Sequence, residues 1–179
     1  MAAIEAVETV YLEANQTSVT FSSIGSFEHY QIHCQVRNTF AYPQGGGRLT
    51  FNSIAGTAYS RSSLRGFTSS KEADGGTGEA NARIPTYLTG NGVGGTSGPE
   101  PIVLDYSPFI VDIFDAHNTS KNTSMIAPFG CAVTLTGTTF MGFGSATCDD
   151  TADITSITLS SDGNWKRGSV FTLYGLRSS

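Results

Sequence analysis

The chain has 179 residues, 39% of them apolar and 14% charged, with 21 glycines among them. That is enough apolar material for one core of ordinary size, so a single domain over 1–179 is expected. The formal charge of −5, with Lys71, Lys121 and Lys166 as the lysines, excludes the basic face of a general nucleic-acid binder, and no apolar run approaches the ~18 residues of a membrane-spanning helix.

Low charge, abundant Ser, Thr and Gly, and β-branched runs predict an all-β protein. The expected form is one antiparallel β-sandwich, jelly-roll-like, with about eight strands and long loops. The opening MAAIEAVETVYL has no basic start and no long apolar run, so no secretory leader is expected. Asn15, Asn118 and Asn122 match glycosylation sequons, read as chance matches in a chain so rich in Ser and Thr.

In chain order, the first strand signal is the alternation of Val7, Thr9 and Tyr11, followed by a short β-rich stretch at 18–21. The segment FEHYQIHCQVR, 27–37, places His29, His33 and Cys34 close together. On a helix the two histidines would share a face and could take one zinc ion. Tyr30, Ile32, Cys34 and Val36, however, alternate with Gln31, His33, Gln35 and Arg37, which is the period of a strand. On a strand His29 and His33 lie about 13 Å apart at ~3.3 Å per residue, too far for one metal at ~2.0 Å from each. Cys34 points to the other face. No local metal site is expected, and a metal shared with another strand or subunit stays open.

Arg48-Leu-Thr-Phe-Asn reads as a strand burying Leu49 and Phe51. Arg37, Arg48, Arg61, Arg65 and Lys71 have no acid among them over 29–71; they read as a solvated strand face and loop, or else as a mild positive patch. Segment 66–101, rich in Gly and Ser, reads as a long loop-rich insertion, and loops of that length contact partners or stay disordered. Phe109, Val111 and Ile113 alternate with Ile110, Asp112 and Phe114. Cys131, Val133 and Leu135 alternate with Ala132, Thr134 and Thr136. Ile157 and Leu159 alternate with Ser156 and Thr158. Ser161-Asp-Gly-Asn reads as a hairpin turn between the last two strands. In the closing stretch Phe171 and Leu173 face one side and Val170, Thr172, Tyr174 and Leu176 the other. This strand is therefore central or meets a second chain, and Gly175 ends it or admits another backbone.

The three cysteines, Cys34, Cys131 and Cys148, are odd in number and far apart. Free thiols fit this best, with one disulfide and one thiol as the alternative. No nucleophile elbow, phosphate cradle or dinucleotide fingerprint opens a helix. Asp149, Asp150 and Asp153 follow no EF-hand spacing and read as a solvated loop, with calcium as the alternative. Asp105, Asp112 and Asp115 are the carboxylates a hydrolase on this scaffold would use, but nothing in the sequence sets their separation. No catalytic residue, cofactor or metal is assigned, and no enzymatic activity is expected. Tyr42, Tyr59, Tyr87, Tyr106 and Trp165 suit contact surfaces, because aromatic rings offer apolar area and a stacking face. Trp165 either anchors an interface or ligand or folds back to cap the sandwich.

Three stretches together resemble structural proteins of tailed bacteriophages: RLTFNSIAGTAYSRSSLRG (48–66), FIVDIFDAHNTSKNTS (109–124) and ITSITLSSDGNWKRGSVFTLYGL (154–176). Their order matches as well, and they cover about half the chain. The resemblance implies a β-sandwich virion component, a head or tail decoration, fibre or adaptor protein. It would be made in the host cytoplasm, work by assembly, and contact copies of itself, most simply as a homotrimer, and other capsid or tail proteins. The alternative is a carbohydrate- or receptor-binding module at a fibre tip, contacting a host surface glycan through Trp165 and the tyrosines. No membrane or nucleic-acid partner is implied.

Overall fold

The computed structural model describes residues 3–40, 44–67, 69–84, 88–89, 106–133 and 138–177. Most strands form where the sequence alternates. In chain order they are β1 (Ala3–Tyr11), β2 (Gln16–Ser22), β3 (His29–Val36), β4 (Gln44–Gly45), β5 (Gly47–Phe51), β6 (Tyr59–Phe67), β7 (Lys71–Glu79), β8 (Leu88–Thr89), β9 (Ser107–Phe114), β10 (Thr123–Val133), β11 (Thr138–Cys148), β12 (Ser156–Trp165) and β13 (Val170–Arg177). The expected all-β class is observed, and no helix occurs among the described residues. Among the described residues the strands number thirteen instead of about eight; β4 and β8 are two-residue pieces that pair with each other.

One sheet has eight strands in the order β1-β13-β3-β9-β10-β11-β6-β7, antiparallel throughout, and a second has three in the order β2-β12-β5. β1 pairs with β13 and β2 with β12, the nested order that a rolled-up chain produces. The eight-and-three division departs from the two equal sheets of a regular jelly roll, because β6 pairs with β11 and not with β5. The β10–β11 hairpin, in unbroken register from Thr123↔Cys148 to Val133↔Thr138, extends the long sheet.

The core lies between the sheets. Tyr30, Ile32, Cys34 and Val36 of β3, Phe109, Val111 and Ile113 of β9, and Phe171 and Leu173 of β13 form one cluster with Val19, Phe21, Leu49, Phe51, Ile157 and Leu159 of the short sheet. Each of these strands alternates buried and open positions, which is what one packed face requires. Burying a side chain of this size stabilises by ~1.5–3 kcal/mol. Beyond the short sheet, the segment after β7 continues the cover. Ala82 exchanges both backbone hydrogen bonds with Leu49, at 2.9 Å each, and Ile84 packs over Gly144 of β11.

Several expectations are corrected. Ser161–Asn164 is not a hairpin turn but part of β12, and β12 and β13 lie in different sheets. Its Asp162 is taken up by Arg48, by Arg83 at 2.8 Å and by the amide of Gly46 at 2.6 Å, which holds the segment extended. The actual turn is Lys166–Ser169, where Gly168 sits at φ +86° under the Tyr106 hydroxyl. Gly175 does not end β13; it makes room for the ring of Phe27, where a Cβ would collide. Part of the 66–101 insertion is strand β7, and 85–87 and 90–101 lie outside the described residues. In β1 a bulge between Ala6 and Glu8 breaks the expected alternation. Val7 and Val10 lean on the core while Thr9 and Tyr11 stay exposed. The mild positive patch does not form, because Arg61 and Arg65 are neutralised by Glu72, Asp74 and Glu79 and Arg48 by Asp162. Cys34, Cys131 and Cys148 are all free thiols.

Candidate interaction surface

The aromatic residues singled out in the sequence divide sharply. Trp165 is fully buried. Its indole N–H donates to the Leu159 carbonyl at 3.0 Å and its ring meets Phe171 edge-on at 5.2 Å. It caps the sandwich and is not a surface anchor. Tyr59 is equally buried; its hydroxyl accepts the Phe51 N–H at 2.9 Å, and burial pushes its pKa up. For Trp165 this is the second of its two readings; Tyr59 is corrected from a contact residue to a core residue. Tyr106 is half-buried and donates to the Arg167 carbonyl at 2.8 Å, fixing the turn before β13. Tyr42 and Tyr87 lie outside the described residues.

The surface that does stand open is the outer face of the long sheet. Residues paired across an antiparallel ladder share a face, so the register builds this face row by row. One row is Pro128, Phe143, Leu64, Ala73. The row beyond it is Gly130, Met141, Gly66, Lys71. On the other side lies Ile126, Ser145, Ser62, Gly75, and then Ser124, Thr147, Ser60. Leu64, Met141 and Phe143 are 63%, 72% and 49% exposed, high values for large apolar side chains grouped on neighbouring strands. They form a ridge. Beside it the short side chains of Ser60, Ser62, Ser124, Ser145 and Thr147, with Ile126, line an open hollow of about 390 Å³.

Over β13, β3 and β9 the same face mixes polar side chains with Val170, Leu176, Ile110 and Phe114. His33 bonds the Gln31 side-chain oxygen at 2.7 Å, and Gln31 donates to Asp112 at 2.6 Å. The His33 ring rests against Tyr174 at 4.9 Å. In the rows from β13 to β7, Asp112 and Lys71 are the only Asp, Glu, Lys or Arg side chains among the described residues. A sheet face meant for water alone normally carries far more charge.

At one end of the sandwich a second hollow, about 410 Å³, is lined by Ser26, Glu28, Asp115, His117, Asn118 and Thr119. The Tyr30 hydroxyl gives its proton to the Gly25 carbonyl at 2.8 Å, so His117 Nε2, 3.0 Å away, donates to that oxygen. His117 Nδ1 lies 3.8 Å from Asp153. His29 Nδ1 accepts the backbone N–H of Asp115, whose φ is +58°. These contacts tie three loops together. His29 and His33 point outward from β3 and Cys34 inward, as the alternation predicts. Among the described residues no three His, Cys, Asp or Glu side chains gather as a metal site. Asp149 takes Asn122, Asp150 takes the Ala152 amide, and Asp153 faces His117. Asp112 takes Gln31 and Asp115 pairs with Lys121 at 3.6 Å, so these two carboxylates are committed to different partners; Asp105 lies outside the described residues.

Sequence reasoning missed the ridge. Its strands were legible only in part, and Leu64, Met141 and Phe143 come together only through the pairing of β11 with β6. No family model matches the chain, and no curated protein matches it.

Proposed function

We propose that the chain is a structural component of a bacteriophage particle, a head or tail decoration, fibre or adaptor protein that acts by protein–protein assembly. One observation carries the assembly part of this reading: a broad, charge-poor sheet face bearing exposed Leu64, Met141 and Phe143 on a chain of net charge −5. Burying such a face is favourable by ~25 cal/mol per Å² of apolar area. The bacteriophage part rests on the three ordered sequence stretches, the last of which ends in β13, an interior strand of the long sheet. The glycan-binding alternative is left without Trp165 and Tyr59 as ring platforms.

Two measurements test the reading: mass by light scattering over a concentration series, and imaging of the particle that the protein comes from. The reading expects self-association or binding to particle proteins, lost when Leu64 and Phe143 are changed to arginine. A monomer that shows no affinity for particle components would defeat it.

A further inference from the structure

Resting on the assembly reading, we infer that the β9–β7 part of the outer face seats a second copy of this chain, face to face, with the ridge of each copy in the hollow of the other. Ridge and hollow occupy the same strands, β10, β11 and β6, one or two rows apart. A twofold axis lying in the interface plane, parallel to the Phe143–Leu64 and Ser145–Ser62 rows and midway between them, sets Phe143 over Ser145 and Leu64 over Ser62 of the facing copy. Closed pairs require such a self-complementary patch.

The relief is fine as well as coarse. Met141 projects between Gly130 and Gly66, and nothing stands within 4 Å of where a Gly66 Cβ would be. A knob with a glycine gap beside it is the local form of the same complementarity.

Charge admits a second copy on this face. A second chain of net charge −5 is repelled by most of this surface. In the rows of β10, β11, β6 and β7 there is no carboxylate on the outer face, because Glu72, Asp74 and Glu79 sit on the other side with Arg61 and Arg65. Here two copies meet without like charges opposed.

The area suffices. Five strands at ~4.8 Å spacing, each of about eight residues at ~3.4 Å, give a face of roughly 650 Å². Stable interfaces take ~600–1,000 Å² from each partner.

The test is a charge swap across the axis, using the full chain. Leu64→Lys marks the ridge and Ser62→Glu the hollow; both positions are on the open face, so the melting curve of each variant reports that it folds. Light scattering of wild type is expected to give twice the 18.9 kDa chain mass, and each variant alone the single mass. An equimolar mixture of the two variants is expected to return the double mass, since the new lysine then faces the new glutamate. A mixture that stays at the single mass overturns the face-to-face pair, as does a wild type that forms trimers insensitive to either change. A wild type that is monomeric but binds a particle protein through Leu64 overturns the pair and leaves the assembly reading standing. A wild type that does neither sinks both.

Discussion

The two halves of the long sheet have opposite polarity. Around β3 and β9 the arrangement is the usual one: Ile32, Val36, Val111 and Ile113 face the second sheet, and Gln31, His33 and Asp112 face out. At β6 and β7 it is reversed. Leu64 and Ala73 face out, while Arg61, Arg65, Glu72 and Asp74 point to the side where the sandwich lies. β6 reaches the core at Tyr59, beside Phe51 of β5, and at Phe67, beside Phe140; between them its inner side carries Arg61, Ser63 and Arg65, ion-paired with β7. Charges pointing inward at a sheet edge also discourage unwanted pairing of the edge strand. The outer face at that end is thereby left with Lys71 as its one charged side chain among the described residues, and it is the side fit for dry contact.

The largest effect should come from the conventional half. Trp165→Ala removes a fully buried ring and its hydrogen bond to Leu159, and should cost ~3–5 kcal/mol in urea unfolding. A loss under about 1 kcal/mol would mean that the tryptophan does not close the core.

The reversed half should respond less, and through ion pairs. Arg61 is mostly covered and holds Glu79 through its Nε at 2.9 and 3.1 Å and Asp74 at 2.8 Å. Arg61→Met keeps the stem and removes three charged hydrogen bonds, with an expected cost of ~1–3 kcal/mol. If the variant is as stable as wild type, β7 is held by its backbone ladder alone.

That ladder also has a pH signature. The Arg61 guanidinium, by hydrogen bond and charge, holds the Asp74 carboxyl below the usual carboxylate range. A folded value below the unfolded one means that the pair's contribution is fully present above about pH 4 and is lost as pH falls through the folded value. Asp74→Asn should therefore be the less stable protein at pH 7, and the two should converge towards about pH 2. A difference independent of pH would show that the charge of Asp74 is not what matters. Because Asp74 is substantially open to solvent, the effect is smaller than that of Arg61.

How much of this was legible in the sequence follows from what each strand packs on. β3, β9 and β13 meet an apolar layer, so period 2 in Tyr30–Val36, Phe109–Ile113 and Phe171–Leu173 gave both strand and face correctly. β7, with the sequence KEADGGTGE, has no apolar alternation at all. Its pairing is set by Arg61 and Arg65 on the neighbouring strand, partners that a periodicity argument does not register. Ser161-Asp-Gly-Asn carries the composition of a turn, yet Arg48, Arg83 and the Gly46 amide hold Asp162 in an extended strand; tertiary contact overrode local preference. Trp165 was open to two readings because ring type alone does not separate a core cap from a surface anchor.

The smallest effect on the folded chain, and the sharpest test of the comparison, is on the outer face. Leu64→Ser and Phe143→Ser remove apolar side chains that are already half or more in water. In dilute monomer each should change unfolding stability by no more than ~0.5 kcal/mol, in contrast to the several kcal/mol expected at Trp165. The same changes should abolish self-association. A residue that matters for assembly and not for folding is what an interface predicts. If Leu64→Ser instead destabilised the monomer by ~2 kcal/mol, a scale that belongs to core positions, the ridge would be part of the fold's own packing, and the reversal of polarity at β6 and β7 would have to be explained without a partner.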